Sequence, residues 1–251
     1  MQFINIIMVS TLGLLGSISP SIGGSIAPHE AYYTMDLIKN VNNSNNVGYK
    51  DRTLIRIFND YGVSNKNCLD VGPGSGRWIN FLKKKKTKNI YAVDISDKVI
   101  EINKKNCNKI FKLDFEKKKI PLQNNSIDLV ICLEVLEHLR QPDHILKEIV
   151  RLLKKDSIAV FSIPNILSFS SRVRVVLGLL PIAIISDPTH IKFYRKKEII
   201  KIFSKFNIKV KFYSSSFSLN IFNPKSKFKI PTINFFSSLD DSLIFTIKKL
   251  S

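Results

Sequence analysis

Three aspartates, three glycines and a histidine are the residues of this 251-residue chain whose types and spacing can do chemistry. Gly72, Gly74 and Gly76 stand two apart in "CLDVGPGSGRW", directly after an apolar run that carries Asp70 near its end. Lacking a Cβ, they let the backbone take positive φ and let another molecule come close. The same spacing also occurs in ordinary tight turns, so the aspartates decide the reading. Asp94 ends "NIYAVD" and Asp114 ends "KIFKLD", so three successive apolar runs each bring a carboxylate to their carboxyl end. His138 lies just beyond a fourth run, "IDLVICL".

Each carboxylate has a use toward a nucleoside that carries a positive group. Asp94 can accept from both hydroxyls of a ribose, Asp114 from an exocyclic adenine amine, and Asp70 can face an ammonium or sulfonium. Charge-assisted hydrogen bonds of this kind contribute roughly 1.5 to 3 kcal/mol each. A pyrophosphate would be repelled by the same rim, which argues against a dinucleotide and for S-adenosylmethionine. The competing reading is that the aspartates only cap helices, since "DIS" precedes "DKVIEI". His138, with an ordinary pKa near 6.5, suits a general base toward an oxygen acceptor; the alternative is a histidine that fixes its loop by hydrogen bonds. His190 in "DPTH" is the weaker candidate for that base.

These residues need elements to position them. "NCLDV", "NIYAVDI", "KIFKLD", "IDLVICL" and "SIAVFSIP" read as buried parallel strands. Between them, "SDKVIEINKKN" opens on a Ser that can act as an N-cap, and "DHILKEIVRLLKK" sets Ile145, Ile149 and Leu152 on one helical face. "KEIIKIFSKF" follows as a helix, and "NIKVKFYS" and "SLIFTIKK" as two late strands. Strands alternating with helices predict an α/β fold with a doubly wound sheet, whose ligands bind at the carboxyl ends of the strands. The glycines then sit at that crevice.

Composition excludes several classes. The chain carries 44% hydrophobic residues, enough to bury a substantial core. Cys68, Cys107 and Cys132 lack metal-ligand spacing and read as reduced thiols of a cytoplasmic protein, with no metal site expected. The net charge of +19 is mostly scattered lysine in a chain also rich in Asn and Ile, as an AT-rich genome would encode. It is read as solvated background, with attraction to an anionic membrane surface as the alternative and nucleic acid as the least favoured partner. Residues 1–45 form an apolar N-terminal segment and linker without the positive flank of a signal peptide. That segment packs on the domain, touches a membrane, or precedes a later start at Met8 or Met35. "NILSFSSRVRVVLGLLPIAIISDP", 165–188, is a helical insertion too short to span a bilayer. It reads as a lid over an acceptor, a patch that dips into a membrane near Arg172 and Arg174, or an ordinary buried helix.

"LDVGPGSG", "YAVDIS", "LDFEKKKIPLQNNSIDLVICLEVLEHL" and "LLKKDSIAVFSIPN" resemble, in order and spacing, the successive motifs of class I S-adenosylmethionine-dependent methyltransferases. The resemblance covers residues 46–251 and is closest to the branch that methylates small molecules, quinone precursors and glycans. It implies a Rossmann-like sheet of seven strands, mostly parallel with an antiparallel last strand, and S-adenosyl-L-methionine as cofactor. By resemblance, Asp70, Gly72, Gly74 and Gly76 line the methionine moiety, Asp94 binds the ribose, Asp114 with the Phe115 amide reads adenine, and the Leu133 carbonyl meets the ammonium. Pro73 departs from the usual small or polar residue, and Lys155-Asp156-Ser157 stands where a Pro-Gly-Gly turn is usual. Signatures of base-modifying branches are missing, because "CLEVLEH" occupies the place of an Asn-Pro-Pro-Tyr-like motif. The function expected is O-methylation of a small molecule, lipid precursor or surface glycan. The alternatives are RNA or protein methylation, or a catalytically silent binding protein of the same fold.

Overall fold

The computed structural model describes residues 49–218, 229–231 and 238–250; the N-terminal apolar segment expected at 1–45 lies outside them. The chain opens with α1 (Tyr49–Tyr61), which buries Leu54, Ile57 and Phe58 on one face. It then alternates through β1 (Asn67–Val71), α2 (Arg77–Lys84), β2 (Asn89–Asp94), α3 (Asp97–Asn103), β3 (Lys109–Lys112) and β4 (Ile127–Leu133). After a short 3₁₀ turn at Leu136–His138 come α4 (Asp143–Leu152), β5 (Leu153–Pro164), α5 (Phe169–Val176), α6 (Ile182–Ile185), α7 (Lys196–Phe203) and β6 (Ile208–Tyr213). A two-stranded ribbon of β7 (Ser216–Ser218) and β8 (Lys229–Pro231) precedes β9 (Ser242–Lys249).

Seven strands form one sheet in the order β3-β2-β1-β4-β5-β9-β6. β1 to β5 run parallel, and β9 is antiparallel to both neighbours, β5 and β6. This is the doubly wound sheet with an antiparallel last strand that the sequence implied. Strand alternation divides β1 between two cores. Leu69 and Val71 face a layer with Ile145, Ile149 and Phe203, while Cys68 faces Leu54, Phe58, Ile79 and Leu82. Burial on both faces explains the nearly continuous apolar runs. The chain winds outward from β1 to β3 and then returns to the other side of β1 as β4, so a crevice opens at the carboxyl ends of β1 and β4.

Two details differ from the sequence reading. β3 ends at Lys112, so Asp114 stands two residues past the strand rather than on it. The turn expected at Lys155-Asp156-Ser157 is a bulge inside β5: Ile127 pairs with Leu153 and Leu129 with Ile158, and Asp156 takes φ 62°. The extra residues loop out of the ladder, and aspartate tolerates the left-handed backbone that the usual glycine would provide.

Candidate functional site

The glycine loop lies between β1 and α2. Gly76 is the N-cap of α2 at φ 75°, and a Cβ there would collide with the Asn103 side chain. Asn103, at the end of α3, donates from Nδ2 to Gly74 O and to Val99 O, each at 2.9 Å. It thereby pins the loop against α3. Gly74 has φ 51° and open space where a Cβ would stand. Asp70 is buried beside the loop, and its Oδ2 has no hydrogen-bond partner. Burial, with the Asp94 charge behind it, pushes the Asp70 carboxyl up to about 8.

Asp94 ends β2 at the same rim. Burial raises its pKa to about 6 against the opposing amides of Ser96 and Ile95. Its Oδ1 accepts from Ser96 N at 2.8 Å, but the cap of α3 is Ser96 itself, whose side chain accepts from Val99 N. Asp94 is therefore not the helix cap. Asp114 is held by its own loop, accepting from Glu116 N at 3.1 Å and pairing with Lys117 at 3.1 Å. The neighbouring Phe115 is buried, and its carbonyl lies 2.9 Å from His144 Nδ1. Leu133 closes β4, and the chain turns there because Glu134 adopts φ 53°. The structure thus brings Asp70, the glycines, Asp94, Asp114, Phe115 and Leu133 to one edge of the sheet.

Beyond Leu133 lies a second group of residues, most of which the sequence reading missed. Glu134 accepts from Ser162 Oγ at 2.6 Å and pairs with Lys50 at 3.3 Å. Burial opposes its ionisation, yet the Lys50 ammonium and the Ser162 hydroxyl hold its pKa below the ordinary value. Glu137 is buried with neither carboxylate oxygen hydrogen-bonded; burial first, then the Glu134 charge, raises its pKa well above the ordinary value. The His138 and His190 rings lie 5.0 Å apart. His138 Nδ1 is 3.2 Å from Thr189 O and 2.9 Å from Thr189 Oγ1, while Thr189 Oγ1 donates to Asp187 at 2.6 Å. A carbonyl only accepts, so Nδ1 carries the proton and Nε2 carries the lone pair of the neutral ring. His190 Nδ1 faces the Ala183 carbonyl at 2.7 Å, which fixes the same tautomer. Burial, and next His190, lower the pKa of His138. Glu137, His138 and His190 each place one ligand atom within 4.8 Å of the others, close enough to hold a metal ion. The sequence expectation of no metal site rests on the cysteines, and this group includes none of them. "EVLEH" shows that acids flank His138, but not that His190 reaches it across the fold.

A cleft of about 150 Å³ adjoins this group. Glu134, Pro164, Asn165, Ser168, His190, Asp241 and Ser242 line it, and Ile182, Ala183 and Ser186 close it from the insertion.

Residues 47–211 match the methyltransferase domain family. The chain belongs to that family. Residues 47–211 are thus a methyltransferase domain of the class I, S-adenosylmethionine-dependent kind. Among curated proteins it is similar to hemolysin A of Brachyspira hyodysenteriae, 31% identical over 40% of this chain and 44% of that one. It is also similar to the mitochondrial ubiquinone biosynthesis O-methyltransferase of Saccharomyces cerevisiae, 28% identical over 55% of this chain and 47% of that one. The chain thus spans less than half the length of these relatives. A SAM-dependent methyltransferase from Archaeoglobus fulgidus shares the fold with TM-score 0.56 at 18% identity, over 78% of this chain and 91% of that one.

The crevice of this methyltransferase fits a cationic nucleoside. Backbone without side chains opens onto it at Gly74, and Asp70 offers a buried carboxylate oxygen with no internal partner. An unpaired buried acceptor of this kind is costly until a donor or cation meets it.

Proposed function

We propose that this methyltransferase acts on a hydroxyl oxygen of a small hydroxylated ring, a lipid precursor, in the cleft beside α6. The observation that carries the reading is the cleft itself. A volume of about 150 Å³ matches a space that takes one benzene-sized ring. Its wall is apolar at Pro164, Ile182 and Ala183 and polar elsewhere, with Glu134, Asn165, His190 and Asp241 among the groups able to meet hydroxyls on such a ring. The yeast relative, named for O-methylation in ubiquinone biosynthesis, supports the same acceptor class. Three free cysteines support a cytoplasmic setting.

In this reading Asp70 and the backbone of Gly72, Gly74 and Gly76 hold the methionine end, with the Leu133 carbonyl toward its ammonium. Asp94 takes the ribose hydroxyls, and Asp114 with the Phe115 amide takes adenine. The cofactor supplies a sulfonium methyl for in-line displacement. The chain's own part is to hold an oxygen in line with that methyl, which contributes about 7 to 11 kcal/mol toward the barrier. His190 lines the cleft and the His138 ring stands 5.0 Å from its ring; in this reading the hydroxyl proton passes to His138 Nε2 once the acceptor reaches past His190, a gain of about 10²- to 10⁴-fold. A screen with labelled methyl cofactor over phenolic quinone precursors, sugar nucleotides, glycolipids and RNA tests the assignment. Label on a phenol-type hydroxyl is the expected result. Label confined to RNA or protein, or cofactor binding without any turnover, would replace it with one of the other two readings.

A further inference from the structure

We infer that the α5–α6 hairpin is a docking surface for an anionic lipid membrane, an inference that rests on the lipid-precursor reading above. The outer side of the hairpin is apolar and exposed: Val176 is 85% accessible, Leu180 60%, Val175 57% and Leu177 53%, with Ile185 and Leu167 beside them. Soluble proteins rarely leave so many large apolar side chains together in water. The hairpin reverses at Gly178, whose φ of 70° suits glycine, so four of these residues sit at a tip.

Charge chooses the occupant. No Asp or Glu occurs between residues 157 and 186, and the two cations of the segment are Arg172 and Arg174. Arg174 is buried, with Nε donating to Leu180 O at 2.6 Å, and so clamps the hairpin instead of lying on its surface. Of the two arginines near the patch, Arg172 alone is at the surface. Arg172 is exposed at the base, its Nε on Leu167 O at 2.8 Å. Arg172, the exposed cation at the base, adds about 1 kcal/mol of attraction to an anionic surface, on a chain whose net charge is +19. A tip without carboxylates on a strongly cationic body is complementary to anionic lipid headgroups over acyl chains.

Depth agrees with an interfacial position. Neither α5, eight residues, nor α6, four residues, can cross a bilayer, and among the described residues no helix is long and apolar enough to do so. An apolar face seated at the headgroup boundary is the remaining geometry. The inner side of the same hairpin, at Ile182, Ala183 and Ser186, lines the acceptor cleft. Seating the tip in lipid therefore places the cleft at the surface where a lipid precursor resides.

The full-length protein is sedimented with vesicles of phosphatidylcholine alone and of equal parts phosphatidylcholine and phosphatidylglycerol. Wild type should pellet with the mixed vesicles and much less with the neutral ones. Val176→Glu/Leu180→Glu should partition at least tenfold more weakly, while calorimetry shows unchanged cofactor affinity as proof of folding. Lys83→Gln/Lys84→Gln, cations remote from the hairpin, should lose less than the hairpin variant. The inference is overturned if wild type stays in the supernatant with both vesicles, as it would with the hairpin covered by the chain's own N-terminal segment. It is equally overturned if the lysine variant loses as much as the hairpin variant. Light scattering that finds a dimer, turned to monomer by the hairpin substitutions, would instead make the face an interface between two copies. The vesicles contain no acceptor, so a failed methyl-transfer screen leaves this result standing, and the reverse.

Discussion

His138 and Asp70 separate chemistry from cofactor binding. If His138 takes the acceptor's proton, His138→Ala lowers kcat about 100-fold while calorimetric affinity for the cofactor stays near wild type. A joint loss of cofactor affinity and thermal stability would make His138 a loop-fixing residue. The same assay after EDTA treatment should keep its full rate; a loss that Mn²⁺ restores would move activation of the hydroxyl to a cation held by Glu137, His138 and His190. Asp70 makes a separate prediction. Its carboxyl, pushed up to about 8, is largely protonated at pH 7, and a cation placed against it favours the ionised form. Cofactor binding at pH 7 should therefore release a proton, and affinity should rise from pH 6 toward pH 8 and then level off. Calorimetry at pH 7 in two buffers of different ionisation enthalpy measures the proton directly. Identical heats in both buffers would remove Asp70 from the binding site. The folded state also holds this proton more tightly than the unfolded chain, so its contribution is full below pH ~4 and lost as pH rises through 8. Asp70→Asn should flatten that decline.

Much of the element scale was legible because the sheet is buried on both faces. The five parallel strands announce themselves as apolar runs, and Asp70 and Asp94 follow from counting along them, whereas Asp114 falls in the loop two residues past β3. Long-range partners were not legible. Nothing near Gly76 signals that Asn103 closes over it from α3, and nothing near His138 signals Thr189 or His190, which arrive from the loop after α6. The left-handed backbone at Glu134 was also hidden, because a glutamate there carries no sign of positive φ. The segment before β4 shows the same limit. "KKKIPLQNNS" reads as a polar loop, yet Arg151 on α4 donates to the carbonyls of Ile120 and Leu122 and to Asn124 Oδ1. Glu148 accepts from Ile120 N at 2.9 Å and pairs with Arg151 at 2.6 Å. Arg151→Met should therefore loosen the entry to β4 and lower stability by roughly 2 kcal/mol, since it strands charged and backbone groups together. Urea unfolding with an unchanged m-value and an unmoved midpoint would show that water replaces the arginine.

At the scale of the whole molecule, charge is segregated. Asp70, Asp94 and Asp114 edge the cofactor crevice, and Glu134, Glu137, Asp187 and Asp241 gather about the cleft beside it. Two lysines reach these acids, Lys117 at Asp114 and Lys50 at Glu134, while others lie outside the site, as at Lys83 to Lys86 on the end of α2. A phosphodiester backbone is thus drawn to the outer surfaces and repelled where transfer takes place. RNA should bind weakly and without blocking the site: at physiological salt, excess single-stranded RNA should leave both cofactor affinity and turnover of a small acceptor unchanged. For a few scattered lysines, the slope of log affinity against log salt should be shallower than about −3, because each neutralised phosphate contributes about −0.7 on a single strand. A steeper slope together with competition against the cofactor would mean that the lysines form a continuous track leading into the cleft. The acceptor would then be a nucleic acid, and the acidic rim would have to be crossed by a flipped base alone rather than by the backbone that carries it.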